Sequence, residues 1–171
     1  LTVEAHYCSS TGDLDSAFSL YHEGLREAEK RDDPESRAMI LGNMGILYRG
    51  SGSIGRATEC YESALVDFRL LGDRRGEANT LGNLALLLRH AGRRQEAEKC
   101  YIQALRIHRE TGNRRGEGYI LNGLGNLSED PSTALSWFRK ALSINREVGD
   151  RKAVGIVLGN IGQIESSGGS F

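Results

Sequence analysis

Asparagine recurs at one position of a pattern that repeats along the chain. Asn43 and Asn83 are 40 residues apart, Asn160 falls in the same column after one spacing of 37 residues, and Asn126 lies three residues beyond that column. A carboxamide offers a hydrogen-bond donor and an acceptor together, as the gripping of a peptide backbone requires. Because asparagine is a mediocre helix former, its recurrence within helical segments needs a reason. We predict that these side chains either bind a ligand backbone or hydrogen-bond to a neighbouring repeat.

A glycine precedes the asparagine in three of the repeats, at Gly42, Gly82 and Gly159. A glycine inside a helix costs about 1 kcal/mol relative to alanine. It also removes the side chain that would keep another backbone at a distance. The glycines therefore indicate either an approach path for a ligand backbone or close packing between helices.

Arginines repeat at the same 40-residue spacing. Arg49 and Arg89 stand at matching positions, where each could meet a ligand carboxylate or simply be an exposed cation at a helix end. The pairs 74–75 and 114–115 could form a basic ridge. Acidic residues lie close to both pairs, so a solvated edge that compensates its own charge is the favoured interpretation.

No set of residues in the chain has the spacing of a catalytic or metal site. His6, His22, His90 and His108 do not combine with cysteines or carboxylates at metal-ligand spacing. The glycine-rich stretch 112–118 is a junction between repeats without the preceding strand that a phosphate-binding loop requires. We therefore predict that the protein is not an enzyme and needs no cofactor and no metal.

Composition excludes several classes of partner. The formal net charge is −1, from 22 basic and 23 acidic residues, so no overall field favours nucleic acid or an anionic membrane. No apolar run approaches the roughly 18–20 residues that span a bilayer. The three cysteines are an odd, sparse set, and Cys60 and Cys100 lie in equivalent helices, about 8–10 Å apart if these are in contact, which is too far for a disulfide. A reducing cytoplasm is the expected location.

The elements that position these side chains are pairs of helices. Apolar residues at helical spacing predict one helix over 74–90 and a second over 93–110, separated by Ala91-Gly92. Gly72-Asp73, Gly112-Asn113 and Gly149-Asp150 each supply a glycine to end one helix and a capping side chain to begin the next. Asp33-Pro34 begins a helix in another way, with proline at its first position.

The repeats predict an all-α array of helix–turn–helix units, since each unit is too small to bury its apolar face alone. The shorter spacing is assigned to the turn at 128–131, where Asp130-Pro131 begins the second helix. One array is expected over the whole chain, divided as 1–33, 34–73, 74–113, 114–150 and 151–171. Leu1 already falls within a first helix and Phe171 begins a second one, so we expect a segment of a longer array.

The columns Leu41/Met44/Gly45/Tyr48 and Ala57/Tyr61/Ala64, and their equivalents 40 residues later, resemble the tetratricopeptide repeat (TPR). The 40-residue period resembles the variant of kinesin light chains and of Leu-Gly-Asn (Pins-type) adaptors. The stretch 104–118 also looks like arrays attached to large bacterial signalling ATPases, kinases and cyclases. The resemblance implies a right-handed α-solenoid.

In this family the first helices of successive pairs line a concave groove that takes extended peptides. Carried over to this chain, the implied peptide-binding groove comprises Met39, Asn43, Ile46, Arg49, Asn79, Asn83, Leu86, Arg89, His90, Tyr119, Asn122, Asn126, Ile156 and Asn160. The leading prediction is a scaffold or adaptor that binds a protein partner through an extended segment. A self-associating or regulatory region of a larger signalling ATPase or kinase is the first alternative, and association through the exposed array ends would fit it. A helical-repeat RNA binder is a second alternative, disfavoured by the charge balance.

Overall fold

The computed structural model describes residues 4, 5, 8 and 13–168, apart from the side chain of residue 168. In this part of the chain every regular element is an α-helix. The helices are α1 Leu14–Lys30, α2 Pro34–Gly50, α3 Ile54–Leu71, α4 Arg74–His90, α5 Arg94–Glu110, α6 Arg114–Leu127, α7 Pro131–Glu147 and α8 Arg151–Gly168. The expectations for Leu1 and Phe171 lie outside the described residues. The all-α fold class of the helical-repeat solenoids is confirmed.

Short turns separate the helices, and their sequences explain where each helix begins and ends. The side chain of Asp33 accepts a hydrogen bond from Ser36 N at 3.0 Å, and Asn113 does the same for Gly116 N at 3.0 Å. Gly72 ends α3 in the left-handed conformation with φ 68°. Asp32 adopts φ 51° before α2, where the other junctions between repeats have glycine. Aspartate is one of the few residues with a side chain that adopt this conformation, because its short polar side chain can hydrogen-bond locally.

The helix α6 is shorter than its counterparts, as the 37-residue spacing predicts. It has 14 residues, whereas α2 and α4 have 17 each. Ser128 leaves the helix with extended backbone, and the side chain of Asp130 accepts a hydrogen bond from Thr133 N at 2.8 Å to begin α7. The three missing residues therefore all come from the end of the first helix. The turn to which the sequence analysis assigned them, 128–130, has three residues, like the turns 51–53 and 91–93.

The chain divides into two compact units, Leu1–Leu87 and Leu88–Phe171. In the first unit α2 packs against both α1 and α3. The ring of Tyr61 lies over Gly45, where a Cβ would be only 2.5 Å from the ring. Ala38, Ala64 and Phe68 form a buried cluster, against which Leu41 packs. Small residues on one helix thus make room for a large ring from the next, which is how a helix pair reaches interior packing density.

In the second unit α6 contacts α5, α7 and α8, and α7 also packs against α8. The ring of Phe138 covers Gly125 in the way that Tyr61 covers Gly45. Leu121 and Ile120 are fully buried beside this contact. The first helix α6 is therefore held between second helices, and its remaining face carries the side chains considered below.

Candidate functional site

The side chains predicted to line a groove all lie on first helices, and none of the fourteen is buried. Four of the five large apolar ones are strongly exposed, Met39 49%, Ile46 41%, Tyr119 47% and Ile156 51%, and Leu86 is half-buried. The asparagines of the repeating column, Asn43, Asn83 and Asn160, are half-buried. Within each unit the first helices thus present apolar and amide groups to solvent together.

In the first unit, the glycines beside the asparagine column differ, because Gly42 faces open space and Gly82 is buried. A Cβ built on Gly42 would meet no heavy atom within 4 Å, whereas one on Gly45 would strike the Tyr61 ring. The same is true of Gly159 in the second unit, which also has no atom within 4 Å of its Cβ position. Close helix packing therefore does not account for Gly42 or Gly159 among the described residues.

Two of the candidate asparagines bind one another in the second unit. Asn160 Nδ2 donates a hydrogen bond of 2.9 Å to Asn122 Oδ1, which links α8 to α6. Asn126 Nδ2 donates to the carbonyl oxygen of Asn122 at 3.0 Å, within its own helix. Asn160 Oδ1 and Asn122 Nδ2 have no further hydrogen bond to the described protein. The pair joins neighbouring repeats and still keeps an acceptor and a donor for another molecule.

In α6 the two residues stand in the reverse order, Asn122-Gly123. Gly123 occupies the column of Asn43 and Asn83, and a Cβ there would lie 2.7 Å from the Tyr101 ring. The carboxamide stands one residue earlier, at Asn122, from which it reaches Asn160.

The arginines at matching positions have incomplete hydrogen bonding. The Nε atoms of Arg49 and of Arg89 are both buried, and neither has a hydrogen-bond partner in the described structure. Arg89 Nη2 lies 2.9 Å from His90 Nε2. A buried donor without a partner is uncommon and calls for an explanation. A hydrogen-bond acceptor on a bound ligand is one such explanation.

The other arginine pairs are largely compensated by carboxylates. Arg74 Nη1 contacts Glu77 at 2.5 Å, and Arg114 makes contacts of 2.5 Å with both Glu117 and Glu147. Arg115 Nε lies 3.4 Å from Asp150. These contacts agree with a self-compensated edge and leave no basic ridge at 114–115.

Sequence reasoning missed the buried carboxylates at the repeat junctions. Glu117 is 4% exposed and binds Arg109 Nε at 2.8 Å as well as Arg114, whereas the sequence analysis placed the acidic residues near these arginines on a solvated edge. Glu77 is held in the same way by Arg69 and Arg74. The sequence did carry a signal for these contacts. Each glutamate is preceded by one arginine at eight residues and by another at three residues, and this pattern recurs after 40 residues.

The first unit has a related ion pair, in which an arginine stands in the column of the glutamate and its partner is a carboxylate. Arg37 stands in the column of Glu77, and its Nε and Nη2 atoms donate to Asp67 at 2.8 and 2.5 Å. Asp67 is 2% exposed, and the hydrogen bonds that Arg37 donates to it are the main cause that raises the pKa of Arg37. This bidentate pair fixes α2 against α3.

The cysteines among the described residues are free thiols. Cys60 is a free, buried thiol and is not bridged to Cys100. Burial, with a smaller contribution from Glu59, raises the pKa of Cys60. Across residues 13–168 and the few described before them, no cluster of three or more His, Cys, Asp or Glu side chains could hold a metal ion. None of the helices described is both long enough and apolar enough to cross a bilayer.

Known proteins share this repeat and this fold. A family model described as "Tetratricopeptide repeat" matches residues 76–129. BtubC (BKLC) from P. vanneervenii is 22% identical with a TM-score of 0.74, over 98% of this chain and 79% of that one. A protein from Podosopora anserina, assigned as a kinesin light chain with nearly identical TPR-like repeats, is 14% identical with a TM-score of 0.68, over 99% and 95% of the two chains. No curated protein matches the sequence.

Residues 76–129 thus match the tetratricopeptide repeat, and the described chain has the fold of a tetratricopeptide-repeat array. That array resembles those of kinesin light chains, as the 40-residue period predicts.

Proposed function

We propose that this protein is a non-enzymatic binding module that recruits a protein partner by holding an extended segment against its first helices. Tetratricopeptide arrays commonly mediate protein–protein contacts, and the fold therefore implies a protein partner. The observation that carries the finer proposal is the combination of unused amide groups with glycines that face open space. A reducing compartment is the proposed location, in keeping with the free thiol of Cys60.

The amide groups define how the segment would be held. Asn160 Oδ1 can accept a backbone N–H of the segment, while Asn122 Nδ2 can donate to a backbone carbonyl. Because the two side chains already bind each other, their orientation is fixed before the ligand arrives. The open side of Gly159 lets the segment's backbone approach α8 closely.

The arginines define the chemistry of the segment. The buried Nε atoms of Arg49 and Arg89 each lack an acceptor, and a carboxylate is the acceptor that a guanidinium binds most strongly. We infer that the bound segment carries Asp or Glu side chains, with apolar side chains between them for contact with exposed residues such as Met39 and Ile46.

The proposal is tested with peptides selected by display. Random 15-residue peptides on phage are enriched on the immobilised chain, and one enriched sequence is synthesised for calorimetry. The double variant Asn43→Ala/Asn83→Ala should bind it about tenfold more weakly, since each hydrogen bond contributes about 0.5–1.5 kcal/mol. The melting temperature should stay close to that of the parent chain, because the changes are on a solvent-facing surface.

Gln103→Ala, which removes an exposed carboxamide from the second helix α5, is the matched control and should leave affinity unchanged. A double variant that melts several degrees lower would show that the asparagines are structural. Failure to enrich any peptide would count against the segment-binding proposal as a whole.

A further inference from the structure

Each second helix has an outer face that is exposed to solvent. On α3 this face comprises positions 59, 62, 63, 66, 69 and 70, and the equivalent positions are 99, 102, 103, 106, 109 and 110 on α5 and 136, 139, 140, 143, 146 and 147 on α7. Spacings of three and four residues place them on one side of each helix. The outer faces of α3 and α5 are exposed although further repeats follow them. The exposure of the same face on α7 is therefore a property of the repeat.

The outer face of α7 is basic, and its cations are not compensated by carboxylates. Arg139, Lys140 and Arg146 are exposed, and none of them forms an ion pair in the described structure. The acidic residue of this face, Glu147, is already bound by Arg114 Nη2 of α6 at 2.5 Å. The outer face of α7 therefore carries three positive charges that attract an acidic surface.

The outer face of α3 has the opposite charge. Glu59 and Glu62 are exposed there, and neither forms an ion pair in the described structure. Arg69, the cation of this face, is engaged at 2.9 Å by a glutamate of α4. Toward the end of the helix the same face exposes two apolar side chains, Val66 at 55% and Leu70 at 79%. The outer face of α3 thus combines two uncompensated negative charges with exposed apolar surface.

The outer faces of the other second helices do not offer such a charge. On α5 both arginines form ion pairs with glutamates, at 3.4 and 2.8 Å, and Lys99 is the one cation left without an ion pair in the described structure. The equivalent positions on α1, which are 19, 22, 23, 26, 29 and 30, carry acidic and basic side chains in equal number. The faces of α3 and α7 are therefore the best matched pair among the described helices.

We propose that the protein self-associates by docking the outer face of α3 in one copy against the outer face of α7 in a second copy, with the two helices antiparallel. This orientation sets the two glutamates against the three cations. It also sets Val66 and Leu70 against the N-terminal half of α7, where Leu135 is half-buried and the exposed Ser132 and Ser136 carry no charge. Contacts of α3 with α3, or of α7 with α7, would set like charges against each other and are disfavoured. The segment-binding face of the first helices takes no part in this contact.

Sedimentation velocity of the 171-residue chain over a concentration series tests the proposal. We expect reversible association at about 0.05 M salt that weakens at least about tenfold at about 0.5 M, because the Debye length shrinks about threefold. The charge-reversal variants Glu59→Lys/Glu62→Lys and Arg139→Glu/Lys140→Glu should each associate at least about tenfold more weakly than the parent chain. An equimolar mixture of the two should associate as tightly as the parent, within about threefold, because each variant then meets the opposite charge on the other.

Matched variants separate this contact from an effect of net charge or of apolar surface in general. Arg151→Glu/Lys152→Glu reverses two exposed cations on the first helix α8 and should leave association unchanged. Leu70→Gln should weaken association at least about threefold, whereas Ile102→Gln, on the outer face of α5, should change it less than about twofold.

A parent chain that stays monomeric at low salt, or a mixture of the charge-reversal variants that does not recover association, would overturn the proposal. So would association that disappears after nuclease treatment, since nucleic acid would then be bridging the copies.

Discussion

At the scale of single residues, the glycines of the first helices fall into two kinds. Gly45 and Gly125 lie beneath aromatic rings and are required by packing. Gly42 and Gly159 face open space, so the free protein gains nothing from the lack of a side chain there. Glycine weakens a helix, and packing does not explain the second kind, so we propose that these two glycines serve ligand binding.

We predict opposite effects of two alanine substitutions in the same helix, α2. Gly42→Ala should raise the free energy of unfolding by about 0.5–1 kcal/mol, the gain in helix propensity. Gly45→Ala should lower it by about 1–3 kcal/mol, because the new methyl group displaces the Tyr61 ring. Urea unfolding of the three chains measures both.

Gly42→Ala should also weaken binding of a display-selected peptide, although the variant is more stable. If its affinity equals that of the parent chain, Gly42 has no part in ligand approach.

The contacts and burial of single side chains were also the features that the sequence predicted least completely. The asparagine column is evident from spacing, but the hydrogen bond between Asn122 and Asn160 depends on which side chains two helices bring together. The burial of Asp67 and Glu117 was missed for the same reason. A charged residue in an amphipathic helix is expected in solvent, and only the arginines from the neighbouring helix make its burial tolerable.

At the scale of helices, the turns were the most predictable feature. The predicted helix over 74–90 matches α4, and the one over 93–110 differs from α5 by a single residue. Such accuracy is possible because glycine in the left-handed conformation and a capping side chain are local signals. The placement of one helix on another is not a local property. The contacts of the Tyr61 ring with Gly45 and of the Phe138 ring with Gly125 could therefore not be predicted from the sequence.

The cap of α7 makes stability depend on pH in a defined range. Hydrogen bonds from Ser132, then from Thr133, lower the pKa of Asp130 from 3.8 to about 2. A lowered folded-state pKa means that the stabilisation is complete above about pH 4 and is lost as the pH falls through 2. Asp130→Asn retains a capping side chain that does not titrate.

We therefore predict that the melting temperatures of the parent chain and Asp130→Asn converge between pH 4 and pH 2. Circular dichroism melts at half-unit steps measure this difference. A difference that stays constant over this range would show that the carboxylate contributes nothing to the cap.

At the scale of the whole molecule, the repeated sequence predicts the fold class but not the partner. A 40-residue period predicted the all-α fold class, which the structural relatives confirm. The near-zero net charge agrees with the self-compensated arginines at the junctions, and gives no support to binding of nucleic acid. Repetition cannot identify a partner, because the same scaffold serves many ligands and only the side chains on its surfaces differ.

We propose that the ligand-binding surface belongs to the first helices. Two-dimensional NMR of the isotope-labelled chain, titrated with a display-selected peptide, tests this proposal. We expect the side-chain amide signals of Asn43, Asn83, Asn122 and Asn160 to shift, together with the backbone signals around them. The side-chain amide of Gln103, on a second helix, should not move. Shifts confined to second helices, around exposed residues such as Val66 and Ile102, would contradict it.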